Sequence, residues 1–170
     1  MDELGEFEVY VACRRRSLLR TAWLLTGDWH AAEDLVQTAL MRCYPKWGRL
    51  HAQSEADAYV RRAIFNTYVS LRRRKWRGEL ACAVVPESSD GDISDEVVQS
   101  QMMLAALARL APRQRAVIVL RFYEDLTEAD TALSLGCTVG TVKSQTAKAL
   151  RSLRNSGVVP ATNQSEVSND

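Results

Sequence analysis

The stretch Thr131-Ala132-Leu133-Ser134-Leu135-Gly136-Cys137-Thr138-Val139-Gly140-Thr141-Val142-Lys143-Ser144-Gln145 decides how this chain is read. A small residue, Ala132, is followed four positions later by Gly136 and six positions after that by Val142. Two helices packed closely across a tight turn need these three residue types. The first helix needs a small side chain at the crossing. The turn needs a glycine that accepts positive φ, and the second helix needs an apolar residue facing back. Leu133, Leu135, Val139 and Leu150 are further candidates for that core, and Thr138 is placed to cap the second helix. The pattern predicts a helix-turn-helix with helices over about 128–135 and 139–153.

The other side of the second helix carries Thr141, Lys143, Ser144, Gln145, Lys148 and Arg151. Glutamine can pair with an adenine edge, and serine or threonine with several bases. Lysine and arginine reach phosphates or guanine. A solvated surface helix, or a hairpin used for protein contact, would show the same charges. The turn spacing favours DNA in the major groove.

Outward from this motif, Pro112 opens a preceding helix that runs through Val117, Ile118, Leu120 and Tyr123, with another over about 95–110 before it. Upstream, the acidic, serine-containing stretch 78–94, with Pro86 and Gly91, has a linker composition. Its 17 residues reach roughly 55–60 Å when extended. Before it, three helical patterns are expected. The first covers about 4–25 and buries Phe7, Val11, Leu18, Ala22 and Leu25. The second begins after Gly27 with Asp28 as its cap and ends at Pro45. The third covers about 55–76 and keeps Arg62, Asn66 and Arg73 away from its apolar stripe. Strand alternation is absent. The fold class is all-α: two small helical domains, 1–77 and 95–154, joined by a flexible acidic linker over 78–94 and followed by a disordered tail over 155–170.

Charge is nearly balanced, 22 Lys and Arg against 21 Asp and Glu, but it is segregated. Residues 61–77 hold seven basic side chains and no acid, residues 87–96 five acids and no base, and residues 143–154 four basic side chains and no acid. The run Arg72-Arg73-Arg74-Lys75-Trp76-Arg77 suits a phosphate-binding patch, although the end of a helix also favours cations. Trp76, with Tyr44 and Trp47 nearby, could stack on unpaired bases; packing of a small core explains Trp47 equally well.

The four cysteines, Cys13, Cys43, Cys82 and Cys137, are widely and irregularly spaced. Reduced thiols are expected, with Cys13, Cys43 and Cys137 buried. His30 and Cys43 do not complete a zinc site, so no metal or other cofactor is expected. No metal-binding carboxylate cluster, phosphate-binding glycine loop or nucleophile motif points to an enzyme. The acidic N-terminus is unlike a secretory signal, and no apolar run approaches the roughly 18 residues of a membrane span. A cytoplasmic protein without membrane insertion is expected.

Several segments together resemble the extracytoplasmic-function sigma factors of actinobacterial type. They are Leu25-Thr26-Gly27-Asp28 with Ala32-Glu33-Asp34-Leu35-Val36-Gln37, and Tyr59-Val60-Arg61-Arg62 through Asn66 to Arg72-Arg73-Arg74. In the second half they are Leu110-Ala111-Pro112-Arg113-Gln114-Arg115-Ala116-Val117, Leu120-Arg121-Phe122-Tyr123-Glu124-Asp125-Leu126 and Gly136-Cys137-Thr138-Val139-Gly140-Thr141-Val142-Lys143-Ser144. The resemblance implies a promoter-specificity subunit of bacterial RNA polymerase.

The resemblance also implies partners: the core enzyme, through the beta-prime clamp and the beta flap, and promoter DNA, with an anti-sigma factor as a further candidate. Glu33, Asp34, Gln37 and Arg42 map to the clamp contact, and residues 47–54 to a pocket for a flipped base. Arg62, Asn66, Arg72, Arg73, Arg74, Lys75, Trp76 and Arg77 map to the −10 element. Thr138, Thr141, Lys143, Ser144, Gln145, Lys148 and Arg151 map to the −35 element. The acidic linker maps to a segment that threads toward the active-site and RNA-exit channels. Thr38, Ser70 and Gln145 depart from frequent family residues, and Gln145 bears on base preference. A free-standing helix-turn-helix regulator is the competing reading; it leaves the first three helices without a role.

Overall fold

The computed structural model describes residues 2–50, 52–76 and 95–157, with the side chains of Trp76 and residues 95–99 left aside. The expected linker over 78–94, Arg77, Cys82 and the tail from residue 158 lie outside the described residues. Among the described residues all regular structure is helical.

The first module is built from α1 (Glu3–Thr26), α2 (Trp29–Cys43) and α3 (Gln53–Trp76). Short-range chemistry fixes their ends. Asp2 caps α1 by accepting from the Gly5 N–H at 2.9 Å, and Gly27 ends it at φ +77°. Asp28 then caps α2 by accepting from the Ala31 N–H at 2.8 Å, as its position after the glycine predicts. After Cys43 the chain tightens into a 3-10 turn over Tyr44–Arg49, with Pro45 at its start. Leu25, Leu35, Val60, Ile64, Phe65 and Tyr68 fill the space between the three helices.

Trp47 belongs to this core. It is buried, and its ring lies 4.9 Å from Phe7 and 4.8 Å from Tyr10, so stacking on an unpaired base is not open to it. Phe7, Val11 and Leu18 pack on the core from its edge, while Tyr10 and Thr21 join Ala22 and Leu25 inside.

The second module holds α4 (Asp95–Ala108), α5 (Pro112–Ile118), α6 (Glu128–Leu135) and α7 (Val139–Asn155). Proline at the start of α5 gives up no needed N–H. The helix predicted to run on to Tyr123 does so in a widened π turn over Val119–Tyr123. Ala106, Leu107, Leu110, Ile118, Ala149 and Leu153 form one small core, and Val117, Ala132 and Val142 another. The last helix extends to Asn155, slightly beyond the expected 153.

The two modules also pack against each other. Ala116, Val119 and Leu120 of the second are buried in the core of the first, and Leu24 of α1 packs on the second module's core. Arg115 is buried at this seam, and its Nε donates to the Leu24 carbonyl at 2.7 Å.

Candidate nucleic-acid interface

The turn between α6 and α7 is assembled from local contacts. Thr127 caps α6, accepting from the Asp130 N–H at 3.1 Å. Gly136 ends it at φ +63°, and the Cys137 N–H reaches back to the Ala132 carbonyl at 3.0 Å. Thr138 caps α7 by accepting from the Thr141 N–H at 3.1 Å. Ala132 and Val142 are buried against each other with Val117 behind them, the geometry that the spacing of Ala132, Gly136 and Val142 requires.

Two expected core members are not inside. Leu133 is 70% exposed and Val139 is 39% exposed. At about 100° per residue, Ala132 faces the partner helix and Leu133 turns away from it. Thr131 takes the inward place instead, fully buried, with its hydroxyl unpartnered. Leu135 and Leu150 are half-buried at the edges of the cores.

On α7, Lys143, Ser144, Lys148 and Arg151 are exposed, and Thr141 and Gln145 are half-buried. At about 100° per residue, Thr141, Ser144, Gln145, Lys148 and Arg151 share an arc of roughly 120° that lies beside the inward stripe of Val142, Ala149 and Leu153, with Gln145 nearest to it. This arc is one continuous polar face of mixed donors, acceptors and cations. Lys143 falls outside it and points to Glu128 at 3.7 Å. Thr138 is exposed, but its hydroxyl is engaged in the cap and with the Thr141 hydroxyl at 2.9 Å.

The cationic run on α3 divides. Arg62, Asn66 and Arg73 lie exposed along one stripe, as expected from the apolar spacing. Asn66, Val69, Ser70 and Arg73 line a shallow pocket of about 180 Å³ whose other wall is Arg113 and Leu135 of the second module. Arg72 and Lys75 turn the other way. They border an open groove of about 440 Å³ with Asp34, Gln37, Thr38, Met41, Tyr68 and Leu71. Arg74 is exposed at the same helix end. Arg77 and the Trp76 side chain lie outside the described residues.

The four residues assigned to one protein contact have different neighbours. Asp34 and Gln37 are exposed at the groove, and Met41 beside them is 76% exposed. Glu33 faces Arg15 of α1 at 3.7 Å. Arg42 is turned toward α3, donating to the Thr67 hydroxyl at 3.0 Å.

Of the three cysteines expected inside, only Cys43 is buried. Cys13 is exposed and Cys137 is half-buried. Burial pushes the Cys43 thiol up to about 11. Among the described residues there is no cluster of three or more His, Cys, Asp or Glu able to hold a metal. Nor is any described helix long and apolar enough to cross a membrane.

Arg115 and Glu124 were not singled out by the sequence reading. The Arg115 guanidinium is pushed down from its ordinary value by burial first and by the charge of Arg72, with Tyr68 opposing. Glu124 accepts from the Thr21 hydroxyl and pairs with Arg61 at 3.3 Å. Both act across the seam between modules, between residues tens of positions apart, where periodicity has nothing to say.

A helix-turn-helix with a polar reading face, paired with a second helical module bearing a cationic stripe, defines a protein of the DNA-binding helical class. Known proteins narrow this. Residues 10–78 match the pattern of sigma-70 region 2, and residues 100–153 that of sigma-70, region 4. The chain is 40% identical over 154 residues to the RNA polymerase sigma-E factor of Streptomyces coelicolor, covering 91% of this chain and 87% of that protein. It is 33% identical over 147 residues to the ECF RNA polymerase sigma factor SigL of Mycobacterium tuberculosis, covering 81% of this chain and 80% of that one.

Among solved structures, the sigma factor RpoE of Bartonella quintana, crystallised with the anti-sigma factor NepR, superposes with a TM-score of 0.69 at 25% identity. That match covers 91% of this chain and 98% of the other. The chain belongs to the sigma-70 family of RNA polymerase sigma factors, in its extracytoplasmic-function class of actinobacterial type.

Proposed function

We propose that this chain is the promoter-specificity subunit of bacterial RNA polymerase, a cytoplasmic protein that directs initiation without catalytic chemistry of its own. The observation that carries the reading is the polar face of α7. Thr141, Ser144, Gln145, Lys148 and Arg151 stand together on the second helix of a helix-turn-helix, where a major groove would meet them. In this assignment residues 95–154 read the −35 element, and residues 1–77 contact the −10 element through Arg62, Asn66, Arg73 and Arg74. The groove of Asp34, Gln37 and Met41 docks on the core enzyme, and Arg72 and Lys75 border it. Residues 78–94 tether the two halves. An anti-sigma factor, the kind of partner that accompanies RpoE of Bartonella quintana, is a second class of ligand for this chain.

Run-off transcription with purified core polymerase over a promoter library tests the assignment. Start sites that appear only when the chain is added are the expected result. A chain that fails to associate with core, yet selects its duplex unaided, is a free-standing regulator instead.

A further inference from the structure

Two enclosed polar groups near one another lack hydrogen-bond partners. They are the Tyr68 hydroxyl of α3 and Nη2 of Arg115, and each residue is only 2% exposed. Leaving such a group unmet costs about 1–3 kcal/mol. The Arg115 Nε is taken by the Leu24 carbonyl, and among the described residues no carboxylate pairs with the guanidinium. Tyr68 lines the groove between α2 and α3, and so does Thr26. A methyl group on Gly27, the residue after Thr26, would lie 3.5 Å from Arg115 Nη2. Arg72 and Lys75 border the same groove.

These side chains offer donors. Arginine and lysine have no acceptor at all, and a phenol beside them donates too. Donors gathered without a facing acceptor fit an anion with several oxygens, and a phosphate monoester brings three. Asp34 on the α2 wall makes no ion pair with Arg72 or Lys75 and repels an anion toward the α3 side. The groove, about 440 Å³, is in the usual range for a small-molecule site. Leu35, Met41 and Leu71 give it apolar walls that a bare ion would leave wet.

We propose that this groove binds a small phosphate monoester with an apolar body, its phosphate held by Tyr68, Arg72 and Lys75 with Arg115 behind them, and its body laid on Leu35, Met41 and Leu71. The ligand supplies the acceptor that the Tyr68 hydroxyl lacks and a counter-charge for the cations. Its site is separate from the stripe of Arg62, Asn66 and Arg73, which meets other surroundings on α3. The inference stands on the groove itself and does not need the promoter reading.

Titration calorimetry of the full-length chain tests this with hexyl phosphate, and with inorganic phosphate and hexanol as its two halves. Expected is saturable one-to-one binding of hexyl phosphate, roughly tenfold tighter than either half. Tyr68→Phe and Lys75→Gln should each weaken it by roughly tenfold, the loss of one hydrogen bond to a charged group. Lys46→Gln, at an exposed position on the 3-10 turn, should leave it unchanged. Should Tyr68→Phe lose its helical circular dichroism, Lys75→Gln carries the comparison. No saturable binding of hexyl phosphate up to about 1 mM overturns the site and leaves water on the two unmet groups. Equal weakening by Lys46→Gln overturns it too, as general attraction of charge. Inorganic phosphate binding as tightly as hexyl phosphate overturns the apolar half. Displacement of hexyl phosphate by a duplex oligonucleotide assigns the groove to a backbone phosphate and overturns the small-molecule ligand.

Discussion

At Gly136 the backbone sits at φ +63°, and a methyl group added there would meet no atom within 4 Å. The cost of Gly136→Ala is therefore conformational. An alanine in the left-handed region loses about 1–2 kcal/mol, partly offset by a less flexible unfolded chain. Thermal denaturation should show a midpoint lower by roughly 2–4 °C, with Gly136→Asn less affected. An unchanged midpoint would mean that the turn tolerates a different path. Gly136, Ala132 and Val142 were legible because their spacing is local.

Cys43 supplies a different residue-level test. Its thiol rises from 9.0 to about 11 on burial. A group with a raised folded value binds its proton more tightly in the folded state. Its contribution is complete below pH 9.0 and falls as pH climbs toward about 11. Tyr10 and Tyr68, both pushed up chiefly by burial, add to the same alkaline loss. Urea midpoints at about pH 8 and about pH 10.5 should converge less in wild type than in Cys43→Ala. Equal pH dependence in the two proteins would remove Cys43 from the account. Cys13, expected inside, is exposed because it lies off the inward stripe of Tyr10, Thr21 and Leu25.

Among elements, α7 separates two kinds of contact. Lys148 is an exposed cation suited to phosphate, and Gln145 a half-buried amide suited to a base edge. Lys148→Ala should weaken binding to all promoters alike and lower the salt slope by about one. Gln145→Ala should shift preference among promoters, by about 1–3 kcal/mol at one position. Competition among a set of promoters at several salt concentrations checks both; a uniform loss for Gln145→Ala assigns it to positioning.

Helix limits were largely legible, since caps such as Asp28 and Thr138 and breakers such as Gly27 and Pro45 act within one turn. Which apolar side chains go inside was less so. Leu133 and Val139 have the right chemistry but lie off the inward arc of their helices. The divided run on α3 makes the same point for charge: neighbours in sequence, Arg72 and Arg73, face different surroundings because successive side chains are about 100° apart.

For the molecule as a whole, the all-helical class and the two halves follow from patterns repeated within each half. The packing of one half on the other does not. Leu24 meets the second core, and Leu120 and Val119 enter the first, across separations that no periodicity encodes. Arg115, buried at the end of another helix, reads in sequence as one more surface cation of an arginine-rich segment.

The sharing of Leu120 and Leu126 with the first core also bears on biosynthesis. These side chains follow the end of α3 by about 50 residues, which a ribosome adds in roughly 3–10 s. Throughout that interval the nascent N-terminal half lacks its cover around Leu24, a brief opening for chaperones or for neighbours on the same polysome.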